Sequence, residues 1–280
     1  MKKNYIFFIL FSLSTVLTNA QVKTPQASPV CTISQAVGTS DISITYSRPG
    51  AKNRVIFGNI VPYDKMWRTG ANKATKISFS EEVTFAGQKL PAGEYSLFTI
   101  PSTSEWEVIL NNELNLWGTG EYNEADDVLR VKIPSSSNEN HIESLTIDLN
   151  TFSSSGADLT ISWEKTKIII PINTNAIEKI QKEYTTLLEE GPSANTYYKG
   201  ARFFLENNLD LELALKWINS AIEKRPEAFW MSYQKARILV LMNNSKEAIK
   251  VAKEVITMAE AAEDSYGYDK KANDLIKEIK

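Results

Sequence analysis

The chain has 280 residues, 42% of them hydrophobic, a formal net charge of -3, one cysteine and one histidine. A chain of this length can bury a sizeable core and exceeds the usual single-domain size, so two structural units are expected. The slight acidity excludes a global attraction for nucleic acid, and the single cysteine excludes an internal disulfide.

Lys2 and Lys3 precede an apolar run from Tyr5 to Leu17, and Thr18, Asn19 and Ala20 follow with the character of a signal-peptidase site. Residues 1–20 are therefore expected to be a cleaved signal peptide, and the mature protein to be periplasmic or secreted. The run is shorter than the roughly 20 residues that cross a bilayer, so no stable membrane insertion is expected after cleavage. Residues 21–29 read as a linker. Cys31 reads as a small buried hydrophobe rather than a nucleophile.

From 30 to 172 the residues alternate apolar and polar with period two, the mark of half-buried strands. Ile42, Ile44 and Tyr46 face one way, and the pattern recurs through Trp106, Val108 and Leu110 to Ile168, Ile170 and Ile172. Roughly nine or ten short strands with Gly, Pro, Asn and Ser between them predict an antiparallel β-sandwich. Pro91, Ala92 and Gly93 make a turn that launches a strand, and Ser135 to Glu143 reads as a polar loop.

One stretch breaks the period. From Tyr46 to Lys76 the chain carries Arg48, Lys52, Arg54, Lys65, Arg68, Lys73 and Lys76 against the single acid Asp64, with Phe57, Tyr63, Met66 and Trp67 among them. A long segment without secondary structure in a compact domain is usually functional or disordered, and this one is too apolar for disorder. It reads as a long ordered loop and the candidate binding surface. Arg68 and Asn72 are placed to orient a polar or anionic ligand, with Trp67, Tyr63 and Trp117 supplying stacking area. Trp117, between loop glycines, also reads as a lid on the end of the fold. Arg48 and Arg54 are expected to tie loop carbonyls together as scaffold.

The period changes at Asn173 to Ala176. A connecting helix is expected over 173–192, stopped by Gly191-Pro192, and a helical region over 193–280. Helical patterns cover Ala194 to Asn207, Leu211 to Lys224, Glu227 to Met242, Ser245 to Glu260 and Tyr268 to Ile279. Ala201, Phe204, Ala214, Ile218, Ala221 and Pro226, then Tyr233, Ala236, Leu239, Ala248, Ala252 and Val255, fall near the small and large positions of the tetratricopeptide repeat. The whole is an α+β two-part chain: an antiparallel β-sandwich followed by a tetratricopeptide-like helical region. Two repeats are fewer than the three or so that stand alone, so the helices are expected to lean on the sandwich or on another subunit.

Chemistry is sparse. His141 lies in a polar stretch without metal-ligand spacing around it, and neither a phosphate-cradling glycine loop nor a nucleophile elbow is present. No catalytic residue, metal or cofactor is assigned. Asp64, Glu105, Glu107, Glu121, Glu124, Asp126 and Asp127 are the acids from which a carboxylate pair would be drawn.

The runs YSRPGAKNRVIFGNIVPYDKMWRTGANKAT, LPAGEYSLFTIP, WEVILN, ELNLWG and DVLRVKI resemble the secreted bacterial family DUF2911, common in Bacteroidetes. The resemblance covers about residues 28–172 and implies export and domain limits, with no activity attached. It places Arg48, Pro49, Arg54, Phe57, Gly58, Pro62, Tyr63, Trp67, Arg68, Thr69, Gly70, Ala71 and Asn72 at the family's signature positions, and marks Cys31 as a departure. The expected function is that of an exported binding protein whose partner is a carbohydrate, an anionic small ligand or an envelope protein. The rivals are a carboxylate-dependent hydrolase of a glycan or envelope polymer, and an assembly factor acting through its helices.

Overall fold

The computed structural model describes residues 24–279; the expected signal peptide lies outside the described residues. Among the described residues nine strands follow in chain order: β1 (Val30–Val37), β2 (Ser40–Ser47), β3 (Thr75–Phe79), β4 (Val83–Phe85), β5 (Gln88–Leu90), β6 (Gly93–Pro101), β7 (Glu105–Asn111), β8 (Asp127–Asn150) and β9 (Gly156–Thr174). They form one open sheet in the order β1-β2-β3-β6-β7-β8-β9-β4-β5, with every pairing antiparallel.

Period-two alternation is what builds it. Ile42, Ile44 and Tyr46 on β2 point to the same core as Ile168, Ile170 and Ile172 on β9. That single core joins strands far apart in the ladder, and β1 comes into contact with β9. The Tyr46 hydroxyl accepts from the Ile147 N–H at 3.0 Å across it. Strand β8 carries the bend: its first third pairs with β7, and from Ser135 it pairs with β9.

This overturns one expectation. Ser135 to Glu143 is not a loop but the middle of β8, where the register shifts twice, between Ser137 and Ile142 and again before Thr146. Register shifts of this kind bend a strand and leave residues unpaired. The run shows no apolar alternation because most of its side chains are exposed or half-exposed.

Six α-helices follow among the described residues: α1 (Ala176–Glu189), α2 (Ala194–Glu206), α3 (Leu211–Lys224), α4 (Phe229–Leu241), α5 (Ser245–Ala261) and α6 (Tyr268–Ile279). Side-chain caps set three of their starts: Ser193 accepts from the Thr196 N–H, Asp210 from Leu213 and Asn244 from Glu247. Asn208 and Asn243, at φ 51° and 59°, take the left-handed conformation that ends a helix. Ala201, Phe204, Ala214, Ile218 and Ala221 share one core, and Ala236, Leu239, Ala248, Ala252 and Val255 a second. The helices thus bury cores of their own.

Sheet and helices join where Gly38, between β1 and β2, meets Thr174 and Ala176. Lys179 on α1 pairs with Glu81 at 2.7 Å, and Glu81 also accepts from the Thr39 hydroxyl at 2.9 Å. Gly38 has φ +59°, and a Cβ there would lie 2.4 Å from Thr174 Oγ1 and 2.8 Å from Ala176 Cβ. Gly38→Ala combines left-handed strain with overpacking, so a loss of about 2–4 kcal/mol is expected in urea unfolding. An unchanged midpoint would show that the junction yields freely.

Candidate functional site

Between Ser47 and Thr75 the chain forms no strand longer than an isolated bridge, yet it is pinned throughout. Arg48 donates from Nε to the Leu145 carbonyl at 3.0 Å and from a terminal nitrogen to Thr146 Oγ1 at 2.9 Å, tying the end of β2 to β8. Arg54 donates to the carbonyls of Ala51 and Gly50 at 2.9 and 2.8 Å and closes the first turn. Both guanidiniums serve the loop itself.

Trp67 and Thr99 exchange two backbone hydrogen bonds at 2.7 and 2.9 Å, which directs the indole into the core. It stacks on Trp163 at 5.9 Å, meets Trp106 edge-on at 6.1 Å and donates from Nε1 to the Gly70 carbonyl at 3.0 Å. At 8% exposure it offers a ligand no face, so the stacking role expected of it is corrected to packing. Tyr63 is surface-exposed, with its ring against Gly58.

The same pairing puts Arg68 opposite Phe98, on the other face of the sheet, where Phe98 packs with Ala74, Ile109 and Leu116. Its guanidinium is half-buried, no ion pair reaches it among the described residues, and its Nε is buried without a hydrogen-bond partner. Burial lowers its pKa. An unsatisfied buried donor costs about 1–3 kcal/mol, so Arg68→Met is expected to raise stability by about 1 kcal/mol. Thermal unfolding checks this; a destabilised variant would mean that the guanidinium is better satisfied than its Nε indicates.

Asn72 and Trp117 meet elsewhere. A cleft of about 510 Å³ is lined by Asn72, Lys73, Ala74 and Lys76 on one side, Thr45 to Ser47 of β2 on another, Gln26 to Ser28 and Val30 at its edge, and Trp117. The Ala74 N–H donates to the Leu116 carbonyl at 3.0 Å, and Lys73 bridges to Trp117, so the segment after β7 lies against the loop. Leu116 is buried in the small core with Phe98. Trp117 turns the other way and stands 69% exposed, just before Gly118 at φ +95°.

Asn72, at φ +61°, reaches the Ser28 carbonyl at 3.4 Å and Ser47 Oγ at 3.3 Å through Nδ2. It thereby holds the segment expected to be a linker against the loop. Lys76 pairs with Glu94 only at 3.9 Å, and Lys73 is exposed with no ion pair among the described residues. Among the described residues no acidic side chain lines the cleft. Its lining carries two lysines among mixed walls, and the exposed Trp117 indole borders it.

Asn72 and Trp117 are thus brought together, while Arg68, Tyr63 and Trp67 do not line the cleft. Lys73 and Lys76 stand in the sequence reading only among the loop's cations, without a ligand role, and Gln26, Ala27, Ser28 and Val30 are not singled out there. The basic excess of the loop was the signal for the lysines, and nothing local marks the third wall.

Four of the seven candidate acids are used in pairing, and Asp64, Glu121 and Asp126 have no ion pair among the described residues. Glu107, Glu124 and Asp127 surround Arg130 at 3.2, 3.5 and 2.7 Å, and Glu105 pairs with Lys132 at 3.0 Å. Tyr122 donates to both oxygens of Asp127, and its pKa is raised by burial first and by Asp127 second. His141 faces Glu143 at 3.4 Å, and no cluster of metal-ligating residues occurs among the described residues. No described helix is long and apolar enough to cross a membrane.

Residues 28–172 match the model of a family described as a protein of unknown function, DUF2911. Comparison with curated proteins and with solved structures gives no match.

Proposed function

The chain belongs to the DUF2911 family, and from that premise we propose that it is an exported, non-catalytic binding protein that takes a small ligand into the cleft beside Trp117. The observation that carries the reading is the combination in one 510 Å³ cleft of an indole 69% exposed and two lysines without an acid in the lining. An exposed Trp forgoes the burial that stabilises most of its kind, and its flat face is suited to stacking on a ring. Lysines at the wall of a cleft bounded by protein attract an anion more strongly than they would in bulk water. Asn72 Oδ1 accepts no hydrogen bond among the described residues and is free for a ligand hydroxyl. The ligand class is therefore a ring carrying a carboxylate or another small anionic group, a sugar acid among them.

We read the curled sheet as sandwich-like and the paired helices as tetratricopeptide-like. The first rests on the core shared by β2 and β9, the second on the burial of alanines at matching places in α2 to α5. Export rests on the basic, then apolar, then small-residue order of positions 1–20.

A calorimetric screen of the mature protein against sugar acids, aromatic carboxylates and their neutral counterparts tests the binding reading. The acids are expected to bind at least tenfold more tightly than the neutral rings. Binding that ignores Trp117→Ala would remove the cleft from the account.

A further inference from the structure

A second surface lies on the helices, far from any residue of the sheet cleft in sequence. The run Tyr-x-x-Ala-Arg occurs twice, as Tyr198 to Arg202 on α2 and Tyr233 to Arg237 on α4. Ala201 and Ala236 are fully buried, each in its own helical core. The tyrosine and arginine of each run are four residues apart and share a helix face. Helix α6 adds Tyr268 and Lys271.

These six side chains converge. The Tyr233 and Tyr268 rings meet edge-on at 5.4 Å, and Lys271 Nζ sits 4.3 Å over the Tyr268 ring. Burial raises the Tyr268 pKa, and Tyr198, Arg202, Tyr233 and Arg237 all lie near enough to act on its hydroxyl. Among the described residues the Tyr233 and Tyr268 hydroxyls have no hydrogen-bond partner.

The charges are incompletely paired. Arg202 holds Glu206 at 2.7 Å, but Arg237 donates only to the neutral Gln234 at 2.8 Å. Lys271 has no ion pair among the described residues. The acids beside Tyr233 are Asp274 and Glu278, and Asp274 is taken by Lys277 at 2.8 Å. Arginine's planar fork matches a carboxylate, and tyrosine adds a stacking face with a donor. Three neighbouring helices at about 9 Å spacing make a row about 18 Å long, which roughly five or six extended residues would span.

We propose that this face of α2, α4 and α6 binds an extended, carboxylate-rich segment of another polypeptide. Arg202 and Arg237 take its acidic side chains, and the tyrosines pack against those between them. The surface is independent of the ligand cleft, so either assignment can fail alone.

Fluorescence polarisation with a labelled hexapeptide of alternating glutamate and phenylalanine, against the full mature chain, tests this. A lysine–phenylalanine hexapeptide is the control. The acidic peptide should bind saturably and weaken as sodium chloride rises, and the control should not bind. Arg237→Glu should weaken the acidic peptide at least tenfold, Arg237→Gln less, and Lys246→Ala, which removes an exposed cation on α5 outside both sites, should leave it unchanged. The proposal is overturned if both peptides bind alike, or if Arg202→Glu with Arg237→Glu binds as the parent does while circular dichroism shows the helices intact. It is also overturned if the peptide is ignored and the protein self-associates in a way that the double variant abolishes, since the occupant is then a second copy.

Discussion

Trp67→Ala is expected to destabilise the protein by about 3–5 kcal/mol, the scale of a large aromatic removed from a packed core. The indole is stacked on Trp163 at 5.9 Å, with Trp106 at 6.1 Å and Phe57 at 6.0 Å edge-on to it. Its removal leaves a cavity among three aromatic rings that cannot easily collapse, and it strips the Gly70 carbonyl of the 3.0 Å indole donor. The loop should loosen as well, because that bond fixes the turn leading to Asn72. Trp67→Phe restores most of the volume without the donor and should recover more than half of the loss. Urea unfolding measures both. If Trp67→Ala lost less than about 1 kcal/mol, the aromatic cluster would not be the keystone of the loop.

Trp117→Ala combined with Lys73→Ala is expected to do the opposite: to leave unfolding within about 0.5 kcal/mol of the parent and to abolish binding of an acidic ring ligand. Both side chains are exposed, so little packing is lost with them. A charge-assisted hydrogen bond from Lys73 contributes about 1.5–3 kcal/mol and stacking on Trp117 about 0.5–1.5 kcal/mol beyond the area it buries. Together they correspond to a loss of roughly 30-fold to 2,000-fold in affinity. Because the two side chains are neighbours, the double variant need not equal the sum of the singles, and calorimetry on all three variants measures the coupling. A double variant that bound as the parent does would place the ligand elsewhere.

The contrast between these tryptophans shows what was legible in the chain. Strand positions such as Ile168, Ile170 and Ile172 declare their face through alternation, and the structure buries all three. Helix limits were equally readable, because Ser193, Asp210 and Asn244 are capping residues ahead of helical periods. Trp67 has no such neighbours. It stands in a segment without period, and its direction is set by pairing with Thr99, a contact invisible to local pattern. Trp117 could be read as platform or lid for the same reason, and only the burial of Leu116 beside it fixes which way it turns.

The cleft was half legible. The basic excess from Arg48 to Lys76 marked the right loop, but charge alone does not say which cations a fold will occupy internally. Arg48 and Arg54 are engaged with carbonyls and a threonine hydroxyl, Arg68 is half-buried outside the cleft lining, and Lys73 and Lys76 are left at the wall. The third wall, Gln26 to Ser28, folds back through a long-range bond from the Asn72 amide. The polar middle of β8 failed for a different reason: a strand whose side chains mostly meet solvent carries no hydrophobic period to find.

The claim that ligand enters beside Trp117 is tested most directly by following the indole N–H signals of the protein's six tryptophans in a ¹H–¹⁵N spectrum during titration with an acidic ring ligand found in the screen. The Trp117 signal, identified by its loss in Trp117→Phe, is expected to move together with the backbone amides of Asn72 and Lys73, while those of Trp67, Trp106 and Trp163 stay in place. A ligand that binds by calorimetry yet leaves the Trp117 signal unmoved, or shifts the amides around Arg68 instead, would contradict it.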